Sequence, residues 1–436
     1  MGLSFLLYNL LLLFALISLS PVWAIYLLCS RKARAGFWNK LGFLSTATKL
    51  TLRPEHDRRR RLWFHAVSVG EFNAIKPLIG DLNEAYHITI STTTRTGQEL
   101  ARRTFPTLPV VYFPYDLQPS IHSLLYWIRP DLVIVAETEL WPNFIDQVVR
   151  KRQIPIIFIN GRLSRRSSRR YQWIRLFMRP VLRQVTHWYM QSQADAERIR
   201  QLGKLDPERI TVVGNLKFDL NPNVAPERRV LLQQILNISE TDTLLTLAST
   251  HSGEDRLLVE AYLQMKRDFP ELKLILAPRH PERINEIRNI LNAQAVPYAV
   301  RSQLSTDHPN HPSQSIIVLN SIGELLTVYS FSTIAVMGGS FVEKGGQNPL
   351  EALSHRVPVI FGPHMENFME ISRMILDAGA GYQVQDMDEL IQAITNLLTQ
   401  PEEYDTTAEK GLQLLENNRG ARQLLKAEIY RQLPPT

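Results

Sequence analysis

From residue 61 onward, short apolar runs rich in β-branched residues alternate with stretches whose apolar positions recur at helical spacing. RLWFHAV, HITISTT, PVVYFPY, DLVIVAE, PIIFIN, HWYMQ and ITVVG carry the chain to residue 214, and TLLTLAS, LKLILAP, SIIVLN, FSTIAVMGG and VPVIFG form a second set from residue 243. Amphipathic stretches such as EDRLLVEAYLQMKRDF lie between the runs. Strands alternating with helices predict parallel sheets covered on both faces, and two successive sets predict two doubly wound α/β domains. The segment DLNPNVAPERR, residues 219–229, reads as the linker between them. In such sheets ligands bind beyond the carboxyl ends of the strands, where helix N-termini also point. Two facing domains of this kind predict a cleft with a donor held by one half and an acceptor by the other.

The chain starts differently. Residues 3–28 are apolar throughout, and a helix of that length, rising about 1.5 Å per residue, would exceed the roughly 30 Å hydrocarbon core of a bilayer. A cleaved signal peptide fits less well, because no basic stretch precedes the run and it outruns the usual apolar core of such peptides. Arg31, Lys32 and Arg34 follow directly, which by the positive-inside rule puts the rest of the chain on the cytoplasmic side of the membrane. The resulting division is an anchor over 1–30, a first domain over 31–220 and a second over 221–436, whose last helix would cross back to the first. AGFWNKLGFL, residues 35–44, suits either a segment lying along the lipid interface or a partly buried linker helix.

Composition narrows the class. Of 436 residues, 21% are charged and 44% hydrophobic, which excludes a disordered, collagen-like or wholly membrane-embedded chain. The single cysteine, Cys29, excludes an intrachain disulfide and a cysteine-based zinc cluster. Charge is uneven: residues 29–220 carry 31 Lys and Arg against 16 Asp and Glu, whereas 221–436 carry 18 against 26. A basic first half suggests contact with something anionic, whether phospholipid, phosphorylated substrate or nucleic acid.

Several motifs carry candidate chemistry. In FHAVSVGEF, Ser68 and Glu71 have the spacing of a capping box, while Glu71 could equally serve as a general base whose pKa is raised by partial desolvation. DLVIVAETELWPN ends an apolar strand with Glu137 and Glu139, which share a face if the backbone stays extended; acids placed there are costly unless they are functional or salt-bridged. Arg162, Arg165, Arg166, Arg169 and Arg170 form either a solvated basic face or, with the aromatics that follow, a contact for anionic lipid or a phosphosugar. Lys217, in GNLKFD, is a surface lysine or a phosphate contact at the domain junction. In MGGSFVEKGGQNPLEAL, Asn348 is the expected N-cap and Pro349 the first helical residue. The alternatives there are a phosphate or nucleotide cradle and a plain strand-to-helix turn. DMD at 386–388 looks like an acidic metal motif but reads as a helix cap, and the 11 histidines show no HExxH pairing.

Taken together, HAVSVGE (65–71), ETELWPN (137–143), RLSRRS (162–167), GNLKFD (from 215), STHSGE (249–254), PRHPER (278–283), GEL (323–325), GGQNPLEA (345–352) and GPHMENF (362–368) resemble the 3-deoxy-D-manno-octulosonic acid (Kdo) transferases of lipopolysaccharide assembly. The resemblance spans nearly the whole chain. It implies the GT-B architecture and a metal-independent, inverting glycosyltransferase with no cofactor. The donor would be CMP-Kdo, and the acceptor the phosphorylated lipid A precursor (lipid IVA) at an anionic inner-leaflet surface, with no nucleic acid partner. By position in the motifs, Glu71 is then the base, and Glu139 and Lys217 stabilise the transition state. Arg279, His280, Gly323, Glu324, Leu325, Asn348, Pro349, Leu350 and Glu351 are then the CMP site, while Arg162, Arg165 and Arg166 face the acceptor. This chain has Gln347 where the family more often has His, and Ala352 where it more often has Pro. The competing readings are a membrane-anchored GT-B enzyme with another nucleotide sugar, and an inactive scaffold that binds anionic lipid.

Overall fold

The computed structural model describes residues 2–29, 34, 36–53, 57–220 and 222–435. The chain divides into two compact units: unit 1 is Met1–Asp219 with Arg419–Thr436, and unit 2 is Leu220–Asn418.

Unit 1 is built on seven strands, β1 (Arg61–Ala66), β2 (His87–Thr92), β3 (Val110–Tyr112), β4 (Leu132–Ala136), β5 (Ile156–Gly161), β6 (His187–Met190) and β7 (Ile210–Val212). They pair in parallel in the order β3-β2-β1-β4-β5-β6-β7. Because successive side chains on a strand point to opposite faces, β1 splits its residues between two cores. Leu62, Phe64 and Ala66 enter one, and Trp63 enters the other beside Phe113 and Phe144. Truncating a fully buried indole such as Trp63 to alanine costs ~3–5 kcal/mol. The first core is completed from the far end of the sequence, where Ala421, Leu425, Ile429 and Leu433 of the helix Ala421–Gln432 are buried against it. The Asp219 carboxylate accepts from the Gly420 and Arg422 amides at 2.7 and 2.6 Å, which caps that helix.

Unit 2 carries β8 (Leu244–Thr250), β9 (Lys273–Pro278), β10 (Tyr298–Val300), β11 (Ile316–Val318), β12 (Ile334–Met337), β13 (Val359–Phe361) and β14 (Gly381–Gln383). All its pairings are parallel, in the order β10-β11-β9-β8-β12-β13-β14. Strand order reverses between β1 and β4 in unit 1 and between β8 and β12 in unit 2, the points where doubly wound sheets open a crevice. β10 and β14 are additions to the sequence expectation; each is three residues long and lies at an edge of its sheet.

The single spanning helix expected over residues 3–28 is not what forms. Two helices, α1 (Gly2–Ser18) and α2 (Ser20–Cys29), are separated at Leu19, and among the described residues no helix is long and apolar enough to cross a membrane. Pro21 has no N–H to offer the carbonyl one turn earlier, and its ring crowds that turn. The Ser20 hydroxyl takes the Ile17 carbonyl instead, at 2.8 Å. Leu6, Leu10, Phe14, Ile17, Val22 and Ile25 remain exposed along these helices. Arg31, Lys32, Ala35 and the linker residue Asn221 lie outside the described residues.

Candidate active site

In unit 1 the strands on either side of the order reversal deliver the acids. β1 ends at Ala66, and the helix Val69–Leu82 starts with Ser68 as its N-cap. The Ser68 hydroxyl accepts from the Glu71 amide at 3.4 Å, and the Glu71 carboxylate accepts from the Val67 amide at 2.7 Å and the Ser68 hydroxyl at 3.1 Å. The local cap therefore forms and holds the carboxylate of Glu71 in one orientation. Burial, reinforced by the Glu137 charge and less strongly by Glu139, nevertheless outweighs those hydrogen bonds and pushes the Glu71 pKa up to about 7. Capping and proton transfer are thus compatible uses of one side chain.

β4 gives way to Glu137, whose φ of 56° is left-handed. The extended backbone that would have put Glu137 and Glu139 on one face is therefore absent. Burial raises both acids; Lys217 and Arg162 work against it at Glu137, whereas the Glu137 charge adds to it at Glu139. Trp141 Nε1 has no hydrogen-bond partner, yet the indole lies close enough to Glu139 to favour its ionised form. The loops after β4 and β5 are laced together, with the Thr138 hydroxyl donating to the Arg162 carbonyl at 2.6 Å and accepting from the Arg162 amide at 3.1 Å.

Lys217 lies on the single turn Leu216–Phe218, beyond the end of β7. Asn160, buried at the end of β5, accepts from the Leu216 amide at 3.0 Å, and Asn215 accepts from the Lys217 amide at 3.0 Å. Glu71, Glu137, Glu139, Lys217 and Arg162 thus form one electrostatically linked group in unit 1. Arg165 and Arg166 do not join it; they are exposed on the helix Arg165–Trp173, which runs into the exposed Trp173, Ile174 and Leu176.

Unit 2 is built from glycines and cations. β12 ends close to β8: a Cβ on Gly338 would fall 2.5 Å from the Ser249 carbonyl oxygen. The Glu254 carboxylate, fully buried, accepts from the amides of His251 (2.8 Å), Gly339 (2.6 Å) and Phe341 (3.2 Å), which fixes the loop after β12. Gly345 and Gly346 have φ of 81° and 71°, a conformation that disfavours side chains, and they lead into Gln347, Asn348 and Pro349. The helix itself is only Leu350–Leu353, with Pro349 at the cap and the Asn348 side chain accepting from the Leu350 amide at 3.2 Å. The expected start is displaced by one residue, and one helical turn supplies little dipole. Any anion cradle there rests on side chains and loop amides.

Those side chains include Arg279 and His280, exposed after β9. Burial lowers the His251 pKa, and the positive charges of His280, Arg279, Arg283 and Lys344 lower it further. Neutral His251 can accept a proton donor, and the Gln347 side-chain amide lies 3.0 Å from its Nε2. The 323–325 turn is braced by Arg228, which donates to the Gly323 carbonyl at 2.8 Å, and by Arg301, which pairs with Glu324 at 2.8 Å; Leu325 opens the helix Leu325–Tyr329. Glu351 is half-buried on Leu350–Leu353. A cavity of about 450 Å³ lies beside this loop, lined by residues that include Lys344, Gly345 and His364. A larger one of about 860 Å³, lined by residues that include Tyr382, Glu403 and Lys410, contains none of the residues expected to bind nucleotide. Asp386 accepts from the Glu389 amide at 2.9 Å as a helix cap, and among the described residues no group of three or more His, Cys, Asp or Glu could hold a metal ion.

Comparison with known proteins fits this arrangement. A family model described as 3-deoxy-D-manno-octulosonic-acid transferase matches residues 34–220. The 3-deoxy-D-manno-octulosonic acid transferase of Haemophilus influenzae is 37% identical over 370 residues, 84% of this chain and 85% of that one. The chain belongs to the Kdo transferases. The Kdo transferase of Chlamydophila psittaci is 32% identical over 82% of each chain. A solved glycosyltransferase from Rickettsia africae matches with a TM-score of 0.55 at 13% identity over 86% of this chain and 99% of that one, which shows the shared GT-B fold. As a Kdo transferase the chain is a glycosyltransferase, and its function is Kdo transfer in lipopolysaccharide synthesis. His251 and Glu254 are residues of the candidate site to which the sequence motifs assign no role, their signal being a place inside STHSGE; the sequence singles out Glu137 together with Glu139, and Gln347 as a departure from the family pattern.

Proposed function

We propose that this Kdo transferase moves Kdo from CMP-Kdo to the phosphorylated lipid A precursor (lipid IVA) by a single inverting displacement. Glu71 takes the proton of the acceptor hydroxyl as that oxygen attacks the anomeric carbon. Glu71 carries this reading: a carboxylate oriented by two local hydrogen bonds, with a pKa raised to about 7, combines a fixed position with the basicity that proton abstraction near neutral pH needs. The CMP phosphate leaves toward positive charge supplied by Arg279, Lys344 and the loop amides of unit 2, with Lys217 and Glu139 of unit 1 as further stabilisers of the transition state. Protein cations are assigned the work that a divalent ion does in other transferases, so addition of a chelator should leave the rate unchanged.

The exposed arginines and the apolar Trp173, Ile174 and Leu176 suit an anionic membrane surface that presents the lipid acceptor. α1 packs against the neighbouring helix, where Phe5 and Tyr8 meet Phe177 in tilted contacts with ring centroids 5.8 and 5.3 Å apart. The test is mass spectrometry of the lipid A precursor incubated with CMP-Kdo and wild-type or Glu71→Gln protein. The wild type should add Kdo and the variant should not, while both are thermally stabilised by CMP-Kdo. Near-normal product from Glu71→Gln would refute the base; stabilisation by UDP-sugars in place of CMP-Kdo would point to another donor.

A further inference from the structure

Between Phe5 and Ile17, α1 is an apolar helix interrupted by two adjacent polar side chains, Tyr8 and Asn9. Polar groups on such a helix are unfavourable in an apolar surrounding unless they find partners, and both find them on the same spot of unit 1. The Tyr8 hydroxyl donates to Asp116 Oδ2 at 2.8 Å. The Asn9 amide donates to Asn143 Oδ1 at 3.0 Å and accepts from Asn143 Nδ2 at 2.9 Å.

Asp116 and Asn143 are themselves joined. The Asp116 carboxylate accepts from the amides of Asn143 at 3.0 Å and Phe144 at 2.8 Å, and its carbonyl accepts from Asn143 Nδ2 at 2.7 Å. Those two amides are orphan donors of the short helix Pro142–Ile145, which no residue of its own loop caps. That helix continues directly from Glu137, Glu139 and Trp141. Asp116 is buried and fixes where the acid-bearing segment ends; Tyr8 and Asn9 complete its hydrogen bonds and those of Asn143.

We infer that Tyr8 and Asn9 are positioning residues: seating of the N-terminal apolar helix on Asp116 and Asn143 sets the placement of the loop that carries Glu137 and Glu139, so that this helix tunes turnover as well as location. The inference rests on the proposed role of those acids. A displacement of about 1 Å in a reacting group lowers rate by as much as ~100-fold, and loss of the three hydrogen bonds that Tyr8 and Asn9 make at the start of the helix Pro142–Ile145 allows such a shift.

The experiment uses the full chain in detergent micelles with CMP-Kdo and lipid A precursor. It compares wild type with Tyr8→Phe, Asn9→Leu, the double variant and Glu139→Gln. Tyr8→Phe keeps the ring that packs against Phe177, so loss of folding does not obscure it. The double variant is expected to lose about tenfold in kcat with KM for CMP-Kdo unchanged, the same melting temperature, and undiminished flotation with phosphatidylglycerol–phosphatidylethanolamine vesicles. Phe14→Ala, on the exposed side of the same helix, should instead reduce flotation. A double variant with wild-type kcat overturns the inference, as does a loss of kcat that follows a lowered melting temperature. If Glu139→Gln turns over normally, the role of the acids fails and the inference with it. If Glu139→Gln is inactive while the double variant is not, the inference fails alone.

Discussion

In unit 1 the strands flanking the reversal of order, β1 and β4, lead to Glu71, Glu137 and Glu139. In unit 2 the corresponding strands, β8 and β12, lead to His251, Glu254 and the 338–341 loop. The same topological position is furnished in opposite ways. Unit 2 spends its acids on structure: Glu254 accepts three backbone amides, Asp255 pairs with Arg283, and Glu324 pairs with Arg301. Arg279 and Lys344 make no ion pair among the described residues, although Glu343 and Glu366 line the same cavity as Lys344. Unit 1 crowds three acids together, so that Glu71 and Glu139 are raised by burial and by like charge. Burial raises Glu254 as well, against the three amides it accepts from; Glu71 differs in having one such amide and the added like charge of Glu137 and Glu139. The same topological position thus holds a carboxylate tied to a loop in one unit and a carboxylate beside further acids in the other.

The sharpest way to break this contrast is at Glu71. Glu71→Gln should lower kcat by roughly 1,000-fold with little change in KM for the donor, and wild-type kcat/KM should climb with pH to a plateau above a midpoint of about 7, the pKa of Glu71. A rate that is flat across that range would end its assignment as base. Glu254→Ala should act on the other quantity, destabilising unit 2 by about 3 kcal/mol through buried amides left unpaired, as read by denaturant unfolding. If unfolding is unaffected, Glu254 does not hold the loop.

Glu71 also makes a stability prediction of opposite sign. An acid whose folded pKa is raised from 4.5 to about 7 binds its proton more tightly in the folded chain. Its contribution is complete below pH 4.5 and is lost as pH rises through 7. Glu71→Gln should therefore gain up to ~3 kcal/mol over wild type at pH 8 and nothing at pH 4, measured by melting at both values. The smallest effect expected is on donor affinity, where Arg279→Ala and Lys344→Ala should each weaken CMP-Kdo binding about tenfold by calorimetry, with turnover at saturation falling too because the same cations are proposed to face the departing phosphate.

Much of this was readable beforehand, for physical reasons. Strands buried on both faces, such as Leu132–Ala136, are continuous apolar runs that no surface helix would show, so both sheets were visible. β10 and β14 were not, because a three-residue edge strand is too short to display a period and makes hydrogen bonds on one side only. Ser68 and Glu71 could be placed by their spacing, but spacing is silent on burial, and burial decides the basicity of Glu71. The left-handed turn at Glu137 had no glycine or asparagine to announce it. Pro21 did announce the break between α1 and α2, and the apolarity around it concealed the message. The meeting of Tyr8 with Asp116 joins positions 108 residues apart, and no local pattern encodes it.

The helix Ala421–Gln432 closes a wall of the unit 1 core with the last residues of the chain. During synthesis the ribosome must therefore release all of unit 2 before unit 1 can seal. For that interval, Leu62, Phe64 and Ile75 have an incomplete cover. Loss of that helix would leave the core open, although its residues lie more than 340 positions after the glutamate proposed to take the proton.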